Sequence, residues 1–328
     1  MNQPSFSQHT GLIGDEVSQS DIRVDIRQKG NAGGTGFPVG WLIAPSVVWL
    51  FLFLVIPLAS IIVFSFWTSD FGRLDTTFSL KNYANFFYNE GFFDPQADRF
   101  LSVSVYTKTL WSTFRFTIEV MVLCLILGYP IAYFLAMRVA TFKWQMALFL
   151  VCMVPFWTSY LIRAVAWIPM LGRRGLMNKM LVNLGIVDKP VDFLLYSEFG
   201  YTMALAQLYV VLSVGPIFFS LAKIDQEILE AARDMGASAI QVFREIILPL
   251  SLPGVAIGMI FIFVMLMGEF ATAVVVYGGK TSTVGTVILN YYAVADYPFA
   301  AVNAIMLMLA MMIGVVIILR LVNIRKEL

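Results

Sequence analysis

Histidine and cysteine are almost missing from this chain of 328 residues. His9 is the one histidine, and Cys124 and Cys152 are the two cysteines. So few ligands cannot build a zinc or redox-metal site of the usual kind. They also exclude a Ser-His-Asp or Cys-His triad in the core. Two separated cysteines inside apolar runs make no disulfide framework and read as buried thiols. Charge is scarce as well. Charged residues are 13% of the chain, where a soluble domain carries about 25%. The net charge of +1 offers no basic face for a nucleic acid. Apolar residues fill the space instead: 59% of the chain is hydrophobic and its mean hydropathy is +0.80. That composition is that of a polytopic membrane protein in a lipid bilayer, and the six helical spans described below make the expected class all-α.

Residues 1–38 are polar, with the glycine-rich run Asn31-Ala32-Gly33-Gly34-Thr35-Gly36. They lack the apolar content for a core and read as a flexible tail, outside a transmembrane domain of residues 39–328. A secretory signal would reach its apolar stretch much sooner.

Six apolar spans follow, each near the roughly 20 helical residues that a bilayer core demands. They are predicted at Trp41–Trp67, Leu110–Met137, Trp144–Ile168, Gly200–Ala222, Leu252–Tyr277 and Ala300–Val322. An even number puts both termini on one side. Arg23, Arg27 and Lys29 in the tail, Arg138 and Lys143 in a short connector, and Arg320, Arg325 and Lys326 at the end share that side. By the positive-inside rule it is the cytoplasm. The opposite side also carries basic residues, mostly in the longer segments 68–108 and 171–198. Leu176, Met180 and Leu181 in the second of these suggest a short helix lying on the interface.

Residues 223–251 form the one long inside loop. Asp225 is a plausible N-cap for a helix through Met235. Gly236 follows where positive φ carries no steric cost. Ser238 and Gln241 form a capping box for a second helix, which Pro249 is expected to end. Ile228, Ala232 and Met235 share one face of the first helix, and Ile240, Phe243 and Ile247 one face of the second. Periodicity alone leaves open an amphipathic loop resting on the membrane.

The wording of the loop is more specific. It reads Glu230-Ala231-Ala232, three residues, Gly236, nine residues, then Ile246-Ile247-Leu248-Pro249. This resembles the EAA pattern of ABC importer permeases at every specified position. The resemblance implies the type I importer fold, with the first helix packed outside a core of five. It also implies that the loop is a coupling helix seated in a groove of an ATPase subunit. Glu230, Ala231, Ala232, Gly236, Ile246, Leu248 and Pro249 are then its coupling residues. The family's partners are two ATPase subunits that bind ATP and magnesium, a second homologous permease, and a periplasmic or extracellular binding protein. This chain itself would hold no cofactor and hydrolyse nothing. Its place would be the bacterial cytoplasmic (inner) membrane.

Other stretches are similar to the spermidine/putrescine permease group: Gly128-Tyr129-Pro130-Ile131-Ala132-Tyr133-Phe134-Leu135-Ala136, the run from Pro155 to Arg163, and Leu80-Lys81-Asn82-Tyr83. Gly268-Glu269-Phe270 resembles that group's Gly-Asp-Phe, with Glu in place of Asp. The implied cargo is polyamine-like or another small cationic solute, moved inward by alternating access.

Arg115, Glu119, Arg163 and Glu269 fall within predicted spans, where ionisable residues are costly and usually functional. Arg115 and Glu119 are four apart and can pair on one helix face. Glu269 has no basic partner within a turn. It either meets a cationic substrate or forms a salt bridge with Arg163. Tyr129, Trp157, Tyr160 and Phe270 add candidate cation–π contacts. Pro130, Pro155 and Pro216 favour kinks, serving either motion or static packing. Gly279-Lys280-Thr281 mimics the end of a P-loop, but Val274 stands where the first glycine is required. A secondary transporter driven by an ion gradient is the alternative function. It calls for inverted repeats, which the sequence lacks, and leaves the EAA loop unexplained.

Overall fold

The computed structural model describes residues 39–70, 73–88, 104–280 and 282–321. The tail 1–38, most of 89–108, and Arg325 and Lys326 lie outside the described residues. Two compact units divide the chain, Met1–Pro57 and Leu58–Leu328. In the first, helix α1 (Val39–Leu50) passes into a π-helical turn, Phe51–Val55. The helical run Ile43–Ser65 as a whole is long and apolar enough to span a bilayer.

The run goes on as α2 (Ile56–Ser65), and the second unit begins within it at Leu58. A two-stranded antiparallel hairpin follows, β1 (Thr68–Asp70) and β2 (Arg73–Asp75), which pairs Ser69 with Leu74. It is a small departure from an all-α chain. Then come α3 (Lys81–Phe87), α4 (Val105–Tyr133), α5 (Phe142–Met153), α6 (Tyr160–Val165), α7 (Trp167–Leu171) and α8 (Leu176–Asn183). The rest is α9 (Glu198–Leu221), α10 (Gln226–Asp234), α11 (Ala239–Val242), α12 (Leu248–Met267), α13 (Ala271–Val275), α14 (Val284–Ala293) and α15 (Tyr297–Leu321). Among the described residues five helical runs can span a membrane, and a sixth exists if one bent pair counts as a single span.

That bent pair is the third predicted span. Its limbs, Phe142–Trp157 and Tyr160–Asn183, meet at 85°. Pro155 lies in a 3₁₀ turn there, and the Thr158 hydroxyl donates to the Pro155 carbonyl at 2.7 Å. The break itself falls at Thr158-Ser159, just past the 3₁₀ turn that Pro155 opens. Pro130 and Pro216 sit inside helices that run on past them.

Pro249 does not end a helix. The run Ala239–Met267 continues through it. A π-helical turn, Phe243–Ile247, precedes it, as the turn Phe51–Val55 precedes Pro57. A proline ring clashes with the carbonyl four residues back. Those residues are Glu245 and Phe53, each at the centre of its π turn, where the wider coil moves the carbonyl aside.

Helix α9 is central and packs along both α4 and α12. One apolar cluster joins them through Phe116, Val120, Leu205, Leu208, Ile262 and Phe263. Small residues allow the approach. A Cβ on Gly254 of α12 would stand 2.5 Å from the Pro216 carbonyl oxygen, and one on Gly128 of α4 would stand 2.2 Å from Ser213 Oγ. A second cluster, including Phe149, Ile217, Phe218 and Leu221, takes in Leu229, Ala232, Val242 and Ile247, and so anchors α10 and α11 to the bundle.

Candidate functional site

Two places hold the predicted site residues. The first is the α10–α11 loop. Asp225 Oδ1 accepts from Glu227 N at 3.0 Å and caps α10. Gly236 turns the chain with φ of +89°. Ser238 and Gln241 make the reciprocal capping box, at 2.8 and 3.3 Å. These local signals fold the loop as read from the sequence. The helix faces are different from those expected. Ala232 and Ile247 are buried in the chain's own core beside Leu229 and Val242. Ile228, Met235 and Ile240 face outward, with Met235 83% and Ile240 75% exposed. Glu230 and Ala231 are exposed too, whereas Ile246, Leu248 and Pro249 are half-buried. A Cα helix period explains the split: Leu229 and Ala232 are three apart and share a face, and Ile228 and Met235 are seven apart and share the next one. Ala232 thus serves internal packing, and Ala231 is the small residue left at the surface.

The second place lies where the fifth predicted span ends. Helix α12 stops at Met267, ten residues before Tyr277, the predicted end. Gly268 and Glu269 turn the chain, and α13 starts at Ala271. Glu269 Oε1 accepts from Thr272 N at 2.7 Å, which caps the new helix. Its Oε2 accepts from the Tyr160 hydroxyl at 2.5 Å and the Tyr209 hydroxyl at 2.7 Å. Tyr160 also bonds the Thr272 hydroxyl. The Glu269 carbonyl accepts from Thr283 Oγ1 at 2.8 Å. The residue is 6% exposed. A buried carboxylate demands partners of this kind, because an unmet one is costly. Four elements supply them: α6, α9, α13 and the start of α14.

A cavity of about 580 Å3 opens beside Glu269, lined by Tyr160, Arg163, Tyr209, Phe156 and Phe270 among others. Arg163 and Glu269 form no ion pair; the pairs among the described residues are Arg115–Glu119 at 3.5 Å, Arg115–Glu198 at 2.9 Å and Arg173–Asp192 at 3.5 Å. Glu119 therefore does not join Glu269, and it is absent from the cavity wall. Trp157 is 72% exposed and also stands off that wall. Tyr129 donates to or accepts from Ser251 Oγ at 2.9 Å, closer to the second core cluster. Reading the sequence missed Tyr209, Thr272, Thr283 and Glu198. Thr283 had one legible sign, a Thr-x-x-Thr box with Thr286 that starts α14. Tyr209 had none, for a tyrosine in an apolar span looks like core filler.

No protein-family model matches the chain. The spermidine/putrescine transport system permease protein PotB of Salmonella typhimurium is 33% identical over 272 residues, 82% of this chain and 88% of that protein. PotB of Escherichia coli K12 is 32% identical over the same length, 92% of its own chain. This chain belongs to the ABC transporter permease family. As a permease subunit of an ABC importer, it is a transport component. A more distant relative is the inner membrane ABC transporter permease protein YdcU of E. coli, 28% identical over 200 residues, 58% of the permease and 63% of YdcU. Among solved structures, a bacterial alginate ABC transporter, in complex with an alginate-bound periplasmic protein, shares the fold: TM-score 0.66, 16% identity, 94% of the permease and 97% of that chain. A second alginate importer structure gives 0.63, with 18% identity, 92% of the permease and 98% of that chain.

Proposed function

We propose that the permease is one of two membrane subunits of an ATP-driven importer for small amine-bearing solutes of the polyamine class. Two ATPase subunits bind ATP and magnesium and perform the hydrolysis. An external binding protein delivers the solute, and both termini face the cytoplasm. The α10–α11 surface supports this reading most directly. Three bulky apolar side chains, Ile228, Met235 and Ile240, stand exposed on a loop whose opposite face is locked into the bundle. Such a surface can seat in a groove of the ATPase and pass force to α12, since the run Ala239–Met267 is one continuous helix.

That run ends at Gly268-Glu269, the wall of the cavity described above. Motion applied at one end of α12 is therefore felt at the hydrogen-bonded hub at the other. Tyr160, Tyr209 and Phe270 line the solute's path there, their rings offering cation–π faces to an amine. Glu269 organises the wall through its three accepted bonds. The polyamine class is taken from the two PotB relatives. Affinity purification from the native membrane tests the assembly, and ATP-dependent uptake of labelled putrescine and spermidine into proteoliposomes tests the cargo. Recovery of an ATPase, a second permease and a binding protein is the expected outcome. Repeated recovery of the permease alone would move weight to an ion-gradient-driven transporter.

A further inference from the structure

Within the cavity beside Glu269 the two charged side chains are in opposite conditions. Both oxygens of Glu269 are engaged by Thr272, Tyr160 and Tyr209. Arg163 is poorly served. Its Nη1 donates to the Leu208 carbonyl at a long 3.4 Å, and its Nε is buried with no hydrogen-bond partner. A guanidinium offers five N–H donors in a planar fork that matches a carboxylate. The Nε is closed to a solute as well, so what Arg163 offers the cavity is its terminal nitrogens, which no acidic side chain among the described residues meets. Arg163 lines an open volume of about 580 Å3, large enough to admit a small organic solute.

We infer that Arg163 is the ligand-facing charge of this cavity and receives a carboxylate carried by the transported solute. The inference rests on the proposed reading of the cavity as part of the solute's path. Glu269 then acts as a positioning residue: it holds Tyr160 and Tyr209 in place and leaves no free negative charge to attract a bare polycation. The solute that fits carries an amine, which faces the rings of Tyr160 and Phe270, and an acidic group, which faces Arg163. A diamine such as putrescine meets the same rings but brings no partner for Arg163, so within the amine-bearing class it is the weaker cargo.

The test uses the assembled transporter in proteoliposomes, with γ-aminobutyrate and putrescine as probes. For γ-aminobutyrate, Arg163→Gln should lower kcat/KM by about tenfold or more, as expected when a bidentate charged contact is lost. Arg163→Lys should restore part of it, and putrescine kcat/KM should rise in Arg163→Gln, because the positive charge facing the diamine is gone. A second readout needs no transport. Labelling of wild-type Arg163 by phenylglyoxal, followed by mass spectrometry, should slow saturably with γ-aminobutyrate and not with putrescine. If putrescine is carried, γ-aminobutyrate is not, and labelling is unmoved, the inference is overturned while the polyamine reading stands. If neither amine is carried, the amine reading fails, and acetate protection of Arg163 decides the inference: protection upholds it and none overturns it. Should Arg163→Gln fail to assemble, the wild-type labelling decides alone.

Discussion

Single residues in this permease differ sharply in what their loss should cost, and burial decides the order. Tyr209 donates a 2.7 Å bond to a carboxylate that is itself 6% exposed. Hydrogen bonds to charged groups contribute about 1.5–3 kcal/mol, so Tyr209→Phe should destabilise the detergent-purified protein by an amount in that range, read as a lower melting temperature. Tyr160→Phe should behave alike, and the double variant should depart from additivity, because both hydroxyls share Oε2. An unchanged melting temperature in Tyr209→Phe would mean the hub does not hold the wall together. Arg115→Ala is the contrast. Arg115 bonds Glu119 and Glu198, but about half its side chain is exposed, and exposed pairs contribute about 0–1 kcal/mol. The same thermal measurement should register under about 1 kcal/mol of change. Glu269→Gln should lower stability as well, since it weakens the acceptor of three bonds, and its separate readout is uptake: unchanged transport at normal expression would remove Glu269 from the wall's function.

Whole elements depend on a few close approaches and caps. Gly254 lets α12 lie against α9 at the Pro216 carbonyl. Gly254→Leu forces the helices apart, and overpacking of this kind costs about 1–3 kcal/mol, again readable as a lower melting temperature. In the α10–α11 loop, Gly236 has φ of +89° with open space around its Cβ position, so its requirement is conformational and not steric. Gly236→Val places a β-branched residue in the left-handed region, at a cost of about 1–3 kcal/mol. Amide hydrogen exchange over residues 226–242 should then accelerate, while exchange in α9 stays the same. Equal acceleration in both would show that the loop and the bundle open as one unit. The caps in this loop were legible from the sequence because capping is local: Asp225 acts two residues away on Glu227, and Ser238 and Gln241 act on each other three residues apart. Termination by Pro249 was misread because the π turn that accommodates it has no residue signature of its own.

At the scale of the molecule, two surfaces are joined by one helix. The exposed Ile240 lies at the start of the run that ends beside Glu269, and the exposed Met235 just before it. Met235→Asp combined with Ile240→Asp should leave the fold intact, since both side chains are largely exposed, and should remove the ATPase from the purified complex. Co-purification measures this directly. Retention of the ATPase with normal uptake would place the coupling surface elsewhere on the chain.

The sequence by itself determined the class, the number of apolar runs, the caps of the α10–α11 loop, and the family, through a motif whose spacing survives without any knowledge of packing. Composition and local hydrogen-bonding rules suffice for those properties. Only the tertiary structure decided which face of α10 is buried, that the third span breaks by 85° at Thr158-Ser159, after Pro155, whereas Pro130 and Pro216 leave their helices running, and that Glu269 answers to Tyr160 and Tyr209 and not to Arg163. Glu269 is 109 residues from Tyr160 and 60 from Tyr209. No periodicity reports a contact over such separations. Which partner a buried charge takes is settled when helices pack, because each charge must then be met by whatever donors the neighbouring helices bring to it.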